Sequence, residues 1–320
     1  MLTKLLLWCA RNGRYLLVAG LLAGILIEPL AILLKAYIPE MIGLMLFIAV
    51  FRVGPRAAIG AGRDLRMNLV LVLIYQVALP LVLIGLLVLP APGMTGWQAA
   101  TAGALVLMAA APSMSSSPNL AILCGAEPAP ALRLMVVGTA LMPLTVIPVF
   151  WLMPQLGSGL EVLVSAARLL GVIGVCAFAG FLLRNLLWRQ VTETTLQATD
   201  GLSAVGMMVV VVGLMSAIGP AAREAPGLLV ATLVLVFAVN FGFQILAYFV
   251  FGRFPEMETA RIPASIIAGN RNMALFLTAL PAAVTEPMLL FIGCYQIPMY
   301  LTPILLGWFY KTRPNPPAAS

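Results

Sequence analysis

Apolar runs of about 20 residues recur along the whole chain, and each is long enough to cross the hydrocarbon core of a bilayer as a helix. Helices suit this environment because their backbone groups are hydrogen-bonded internally, whereas unpaired groups are costly in lipid. Charged residues make up 9% of the sequence, against about 25% in soluble domains, so no segment resembles a sizeable soluble domain. The sequence therefore predicts an all-α polytopic membrane protein.

We predict ten transmembrane helices, of which the second is short for a full crossing. Their approximate bounds are 15–34, 38–52, 68–89, 97–125, 129–153, 161–187, 198–218, 227–251, 259–280 and 286–310. Five helices in each half predict two repeats, over residues 1–155 and 156–320. Because five is an odd number, the second repeat is inverted relative to the first.

Lysine and arginine are unevenly distributed between the loops. With a cytoplasmic N-terminus, the outside segments hold only Lys35 and Arg223, and Arg168 can snorkel from the sixth span to the outer interface. The inside segments hold Lys4, Arg11, Arg14, Arg52, Arg56, Arg63, Arg66, Arg133, Arg184, Arg189, Arg253, Arg261, Lys311 and Arg313. The positive-inside rule then places both termini in the cytoplasm. We expect no cleavable signal peptide, since residues 1–15 lead straight into a span.

Several kinds of site are disfavoured by composition. The chain contains no histidine, which is the commonest metal ligand and the usual proton shuttle. Its four cysteines form no CxxC motif and lie mostly within spans, as buried small hydrophobes do. The net charge of +7 lies mainly in short loops, where it sets orientation. We expect no catalytic residue, metal site, cofactor or nucleic-acid partner; the lipid bilayer is the expected surrounding.

Two spans are interrupted by residues that do not suit a continuous helix in lipid. The fourth carries APSMSSSPNLAILCG (111–125) and the ninth carries SIIAGNRNMAL (265–275). Asn119 and Gly269 are 150 residues apart, close to half the chain length. Discontinuous helices at corresponding places in two halves indicate the binding site of a transporter built from inverted repeats.

The breaks predict particular helix ends. Pro112 disrupts the first half-helix of the fourth span, and we expect Ser117 to cap the second, with Pro118 at its first position. In the ninth span Gly269 breaks the helix and Asn270 can cap the second half-helix. Each second half-helix would then direct its positive N-terminal end at the midplane, where an anion is favoured.

Arg271 would add a full positive charge at the same depth. Burying a charge in lipid costs between about 2.5 and more than ~10 kcal/mol, depending on the method. The side chain therefore needs water, a carboxylate, a set of carbonyls or an anionic ligand. Two interpretations stay open: a structural arginine satisfied by carbonyls of the opposite break, or an arginine with a role in substrate binding or coupling.

The candidate binding residues are the polar side chains of the two breaks and of neighbouring spans. They are Gln76, Ser115, Ser116, Ser117, Asn119, Asn240, Asn270, Arg271, Asn272 and Gln296. The three serines can equally be helix-packing residues, whereas a binding role is favoured for Asn119; one polar residue alone in a span more often joins helices by a hydrogen bond. Gly20 and Gly24 form a GxxxG pattern, for which close packing is the better interpretation.

Several segments, taken in order, resemble the bile acid:sodium symporter family, in particular its bacterial members, over nearly the whole chain. YIPEMIGLMLF (37–47) is similar to the family's second span, and YQVALP (75–80) to its third-span glutamine motif. APSMSSSPNLAIL (111–123) and AGNRNMAL (268–275) are similar to the two crossing segments. LFIGCYQIPMYL (290–301) is similar to the tenth span.

The resemblance implies two helix bundles in a bacterial inner membrane. Spans 1, 2, 6 and 7 would form a panel, and spans 3–5 and 8–10 a core in which spans four and nine cross at the midplane. Substrate would bind between the bundles, and one bundle would move against the other to give alternating access. Gln76 matches a sodium-site glutamine of the family, and Asn119 matches its crossover asparagine.

The chain departs from the family at the sodium sites. Ile267 stands at the position of the family's glutamate, Arg271 at that of a glutamine, and apolar residues at 131–136 where hydroxyl ligands are expected. A hard cation needs oxygen ligands, so we infer that Arg271 takes the place of a sodium ion. The acidic residues lie in loops or near span ends, which leaves no proton relay. We expect sodium-independent uniport or exchange of a small organic anion, such as a carboxylate or a bile-acid-like molecule.

Four alternatives stay open. One is a sodium-coupled symporter with an altered ion site. Another is efflux of arsenite or a similar metalloid, for which Cys124 lies near the first break but no acid lies near the second. A lipid-modifying enzyme would need a base to activate Ser115 to Ser117, and the chain has no histidine. A membrane sensor would typically bring a soluble output domain. Substrate identity, direction of transport and oligomeric state are not predicted.

Overall fold

A computed structural model describes residues 1–60, 64–91, 93–153, 159–187 and 192–312. Every secondary-structure element in these ranges is a helix, and they contain no β-strand. The chain is therefore an all-α protein, and its apolar helices make it a polytopic membrane protein. The predicted boundary between the repeats, at residues 155 and 156, lies outside the described residues, as do the predicted cytoplasmic arginines Arg63, Arg189 and Arg313.

The α-helices are numbered here in chain order. Those before residue 155 are α1 Leu2–Arg11, α2 Gly13–Leu26, α3 Glu28–Lys35, α4 Ile38–Gly60, α5 Leu65–Leu73, α6 Leu79–Leu83, α7 Gly96–Ala110, α8 Ser117–Leu123 and α9 Pro128–Trp151. Those after it are α10 Gly159–Leu187, α11 Glu193–Leu214, α12 Ile218–Glu224, α13 Pro226–Phe251, α14 Arg261–Gly269, α15 Ala282–Thr285, α16 Leu289–Leu305 and α17 Gly307–Lys311.

Shorter helical turns connect several of these helices. The π-helical turns Ile74–Ala78 and Ile84–Val88 continue α5 and α6, so that residues 65–88 form one span. The 3-10 turns are Met215–Ala217, Pro255–Met257, Met273–Thr278 and Glu286–Met288.

Seven helical stretches of the described chain are long and apolar enough to cross a membrane. The number is eight if α2 and α3, which bend by 103° relative to each other, form one span. Pro29 lies in the first turn of α3, where a missing N–H is tolerated. The predicted fourth and ninth spans fall outside this count because an unwound segment divides each of them.

The helices contact one another in two groups. In the first, the panel group, α11 packs on α1, α2, α3 and α4, and α4 also packs on α10. In the second, the core group, α13 packs on α14 and α16, while α9 packs on α5, α8 and α14. The two groups meet where α10 contacts α9, where α4 contacts the turn Met273–Thr278 and where α11 contacts α16.

Glycines allow the closest approach within the panel group. A Cβ atom at Gly20 would lie 2.7 Å from the carbonyl oxygen of Met208, and one at Gly24 would lie 2.6 Å from Cβ of Met215. The GxxxG pattern of α2 therefore faces α11 and the 3-10 turn at its C-terminal end. Small residues at such a contact let two backbones approach closely, as is common between helices in lipid.

Helix α13 illustrates how the fold suits a bilayer. Its most apolar 18-residue window has a mean hydropathy of 2.2, yet only 22% of the residues in that window are buried within the protein. Large apolar side chains such as Val230, Val234 and Leu246 are exposed. A surface of this kind on a water-soluble protein would form an apolar patch prone to association, whereas in lipid it faces a matching solvent.

Candidate functional site

The two interrupted spans meet at their unwound segments. Helix α7 ends at Ala110 and α8 begins at Ser117, while α14 ends at Gly269 and the next helical turn begins at Met273. The unwound segments pair through one isolated antiparallel bridge, between residues 113 and 271. The breaks therefore lie against each other.

The pairing supplies hydrogen bonds that the interrupted helices lack. The backbone N–H of Asn272 donates to the carbonyl oxygen of Pro112 at 2.8 Å, and that of Met114 donates to the carbonyl oxygen of Asn270 at 3.3 Å. Backbone groups left unpaired at membrane depth would cost several kcal/mol each. Each unwound segment thus supplies hydrogen-bond partners for some of the backbone groups of the other. This explains how two unwound segments can lie inside apolar spans.

The first break differs from the prediction at its helix start. Ser116, not Ser117, is the N-cap of α8, and it makes no side-chain capping bond. The hydroxyl of Ser113 instead donates to the hydroxyl of Ser117 at 2.6 Å across the break. Pro118 lies in the first turn of α8, as its missing N–H requires, but after the first position.

The second break also departs from the predicted capping. Asn270 ends α14, and its side chain donates back to the carbonyl oxygen of Ile266 at 2.8 Å. The next helical segment, Met273–Thr278, is a 3-10 turn of six residues with Asn272 at its N-cap. The prediction of two α-helical N-termini directed at the midplane was therefore wrong for the ninth span.

Arg271 lies between the two breaks with 1% of its surface exposed. Its Nε donates to the carbonyl oxygen of Ala268 at 3.3 Å, and its Nη1 donates to that of Ala111 at 3.1 Å. Its Nη2 is buried without a hydrogen-bond partner. The guanidinium carbon lies 4.3 Å from the ring centre of Tyr75, whose hydroxyl is fixed by a 2.7 Å bond to the carbonyl oxygen of Ala264.

The two carbonyls that hold Arg271 belong to the ends of two helices. Ala111 is the C-cap of α7, and Ala268 lies in the last turn of α14. Carbonyl groups at helix C-termini carry partial negative charge, which favours a cation there. None of the eleven acidic side chains of the chain is buried, so the guanidinium has no carboxylate to neutralise it.

A second set of hydrogen bonds fixes the end of α14. The carbonyl oxygen of Gly269 accepts from Nδ2 of Asn240 at 2.6 Å and from the hydroxyl of Tyr295 at 2.8 Å. Nε2 of Gln244, one turn along α13 from Asn240, donates to Oδ1 of Asn240 at 2.7 Å. Asn240 and Gln244 thus join helices of the core group and hold the break that presents Arg271.

A cavity of about 30 Å³ lies where the two helix groups meet. Its polar lining consists of Ser115, Arg271, Asn272, Gln296 and Tyr300. The remaining lining residues are apolar: Ile42, Met45, Leu46, Met114, Met207, Val210, Leu214, Ala274 and Met299. A cavity volume of about 10–15 Å³ is enough for one water molecule, so this cavity has room for roughly two water molecules.

The structure brings some of the candidate residues together at this cavity and leaves others outside it. Gln76 is buried and accepts a 2.8 Å hydrogen bond from the hydroxyl of Thr145, which links its span to α9. Asn119 is exposed on α8. Ser116 and Ser117, as well as the asparagines at 240 and 270, do not line the cavity.

Tyrosines are the site residues that sequence reasoning missed. Tyr75 and Tyr295 each precede a candidate glutamine, in the dipeptide YQ of the third and tenth spans. Both hydroxyls donate to carbonyls of α14, at Ala264 and Gly269. Tyr300, five residues after Tyr295, lines the cavity. The repeated YQ dipeptide is the signal in the sequence that points to two of these tyrosines.

Neither a metal-binding cluster nor a comparison with known proteins assigns a function to this site. Within the described ranges, no group of three or more cysteine, aspartate or glutamate side chains could hold a metal ion. No protein-family model and no curated protein sequence matches this chain.

Proposed function

We propose that the protein transports a small organic anion by alternating access, as a uniporter or exchanger that is not coupled to sodium. One observation carries the proposal. Arg271, a buried residue with one unpaired guanidinium nitrogen, lies at the meeting of two interrupted helices and is among the residues that line a cavity between two helix groups. A buried ionisable residue within a membrane-spanning bundle commonly belongs to a substrate or ion pathway.

The charge balance favours an anion over a cation as substrate. The positive charge of Arg271 has no buried carboxylate opposite it, and the carbonyl ends of α7 and α14 are already occupied by its Nη1 and Nε. In transporters with broken helices, such carbonyl ends commonly coordinate the coupling cation. In this protein the guanidinium would take the place of that cation, so sodium would have neither ligands nor an electrostatic reason to bind.

The architecture that we propose has ten spans in two inverted repeats. Eight spans are long enough to cross the membrane if α2 and α3 form one span, and the interrupted fourth and ninth spans would bring the number to ten. The antiparallel pairing of their breaks, at residues 113 and 271, is the arrangement expected when a two-fold axis in the membrane plane relates the repeats. The uneven distribution of lysine and arginine supports cytoplasmic termini.

Alternating access would require the two helix groups to separate. Sites for small organic ligands commonly have volumes of about 300–1,000 Å³, whereas the cavity at Arg271 measures about 30 Å³. A carboxylate with an apolar body therefore needs the panel group to move away from the core group. The methionine-rich wall suits such a body, because methionine side chains adapt to varied shapes.

The family assignment belongs to the same proposal. The chain would be a bacterial member of the bile acid:sodium symporter family, located in the inner membrane, in which an arginine has replaced the sodium site. The resemblance of the two crossing segments and of the YQ motifs supports it. No contact among the described residues favours metalloid efflux, since Cys124 does not line the cavity.

The proposal is tested by counterflow in vesicles that contain the purified protein. Vesicles are loaded with unlabelled acetate, benzoate or cholate, and entry of the same labelled anion is measured for the wild type and for Arg271→Gln. We expect entry of at least one of these anions, and we expect Arg271→Gln to abolish it because the binding charge is lost.

Arg253→Gln is the matched control, since Arg253 is exposed at the end of α13. It should transport like the wild type. No counterflow of any carboxylate by the wild type, or equal counterflow by Arg271→Gln, would contradict the proposal.

A further inference from the structure

Helix α1 exposes basic and apolar side chains next to one another. Lys4 and Leu5 precede Trp8 by four and three residues, and all three side chains are exposed. Arg11, which is exposed as well, follows Trp8 by three residues. Residues at these separations are neighbours on a helix surface. We call the four residues the outer face of α1; it combines two positive charges with the apolar surface of a leucine and a tryptophan.

Another side of α1 is held against α11. Cys9 is buried, and the carbonyl oxygen of Leu6 lies so close to Gly201 of α11 that a Cβ atom there would overlap it. Leu6 and Cys9 are three residues apart and thus neighbours on the helix surface. Because the two backbones are in direct contact, α1 cannot rotate to bury its outer face without leaving α11.

The span against which α1 packs is longer than the hydrocarbon core is thick. It runs over 32 residues, Glu193–Glu224, which is about 48 Å of helix against about 30 Å of hydrocarbon. Gly201 lies eight residues from its first residue, which is about 12 Å along the axis. The adjacent Asp200 forms an ion pair with Arg52, and charged side chains are rare within the hydrocarbon. Helix α1 therefore lies near one surface of the bilayer.

The positive charges of the outer face are not balanced by the protein. In the part of the chain that the structure describes, neither Lys4 nor Arg11 takes part in an ion pair. The nearby Asp200 is already paired with Arg52, and Glu193 at the start of α11 accepts a hydrogen bond from within that helix. The outer face therefore offers two positive charges to a partner.

Charge and apolar surface decide between the possible partners. A second copy that docked with the same face would bring the same two positive charges against them. A free phosphate ion would balance the charges but leave Leu5 and Trp8 uncovered. A phosphatidylcholine headgroup carries a positive choline beside its phosphate and so has no net charge. An anionic phospholipid both attracts basic side chains and covers apolar ones with its acyl chains, and tryptophan is common at this depth of a bilayer.

We propose that the outer face of α1 binds anionic phospholipids of the phosphatidylglycerol class in the leaflet next to it. Lys4 and Arg11 bind the phosphate of the headgroup, while Leu5 and Trp8 lie against the first segments of the acyl chains. The lipid thereby holds this end of the panel group at the bilayer surface. The inference goes beyond the proposed function and does not depend on it, because it rests on the contacts and charges of α1 alone.

The test measures which lipid lies next to Trp8. The full-length protein is reconstituted into phosphatidylcholine bilayers with a minor share of phosphatidylglycerol, and bromine atoms on the acyl chains of one of the two lipids quench nearby tryptophan fluorescence. The signal of Trp8 is the difference between each protein and the same protein with Trp8→Phe. We expect brominated phosphatidylglycerol to quench Trp8 well beyond its share of the bilayer. Lys4→Gln and Arg11→Gln should each lower this preference about fivefold, because each removes one charge from the anionic surface.

The matched control for the two substitutions together is a protein with both Arg66→Gln and Arg253→Gln. Arg66 and Arg253 are exposed on α5 and at the end of α13, in the core group. The control therefore loses the same net charge while α1 is unchanged. It should prefer phosphatidylglycerol at Trp8 as strongly as the wild type does.

Quenching of wild-type Trp8 in proportion to the share of each lipid would overturn the inference. So would quenching by aqueous iodide but by neither lipid, which would place α1 in water, or protection from all three quenchers, which would indicate a protein contact. Inorganic phosphate should lower the preference no more than chloride does at the same ionic strength, and a larger loss would identify free phosphate as the ligand. None of these readouts involves transport, so a failure here is distinct from a failure of counterflow.

Discussion

Two of the three guanidinium nitrogens of Arg271 have a structural role. Nε and Nη1 donate to carbonyls of the two breaks, while Nη2 is buried without a hydrogen-bond partner. The contacts therefore match the interpretation of a structural arginine, and the role in substrate binding stays a prediction. A lysine would not reproduce these contacts, since its ammonium group is a compact point charge without the planar fork that reaches two helix ends and lies over the ring of Tyr75.

At the level of single residues, the sequence predicted which polar residues lie near the breaks better than it predicted the partners that those residues contact. It singled out Arg271 and Gln296 because polar residues inside apolar spans are rare, and both line the cavity. It did not predict that Asn119 is exposed or that Gln76 bonds to Thr145. Which face of a helix a residue occupies depends on packing between helices, and periodicity is uninformative when a span is apolar on every side.

Gly269 gives a prediction at the residue scale. A Cβ atom there would lie 2.2 Å from the backbone oxygen of Asn240, which cannot move without displacing α13. We expect Gly269→Ala to destabilise the protein by about 1–3 kcal/mol, the usual cost of overpacking, and to weaken anion binding by shifting the break. Thermal unfolding of the detergent-solubilised protein measures the change.

The control for this prediction is Gly242→Ala on α13. A Cβ atom at Gly242 would meet nothing within 4 Å. Alanine is favoured over glycine within a helix by roughly 0.8–1.0 kcal/mol, so the control should match or exceed the wild type in stability. A Gly269→Ala protein as stable as this control would show that α14 and α13 are not in fixed contact.

At the scale of elements, the positions of both helix breaks were predictable, whereas the capping of the helix ends and the pairing of the two breaks were not. Pro112 and Gly269 disfavour a continuous helix wherever they occur within a span. The capping was predicted wrongly because local rules assume that each helix end is satisfied by its own neighbours. In the structure the two unwound segments satisfy each other across 158 residues of sequence, a tertiary contact that local rules cannot anticipate.

An ion pair between elements provides a test of the proposed motion. Lys35 at the end of α3 in the panel group bonds to Glu286, which precedes α16 in the core group, at 2.8 Å. We expect a bifunctional methanethiosulfonate reagent, which joins the thiols of Lys35→Cys and Glu286→Cys through disulfide bonds, to stop counterflow, because the two groups can no longer separate. A reducing agent should restore counterflow by releasing the link.

A second ion pair serves as the matched control for this experiment. Arg223 and Glu28 are 2.7 Å apart and join α12 to α3; α12 continues the same span as α11, within the panel group. Linking Arg223→Cys to Glu28→Cys should leave counterflow intact. If the link across the groups has no effect on counterflow, the groups do not move against each other during transport.

At the scale of the whole molecule, the class of the protein followed directly from composition. Long apolar runs with 9% charged residues leave little alternative to a bundle of helices in a bilayer. The number of spans is harder to derive, because seven or eight helices qualify by length and the interrupted ones do not. The grouping of spans into a panel and a core is an expectation from the resemblance alone, since the order of spans along the chain does not determine which of them pack together.

The central claim is that the charge of Arg271 replaces a bound sodium ion, so that an organic anion is carried without one. The most direct measurement is the initial rate of carboxylate counterflow as sodium is raised from zero against potassium at constant ionic strength. We expect the same rate at every sodium concentration. A rate that rises saturably with sodium and falls to the level of protein-free vesicles in potassium would contradict it.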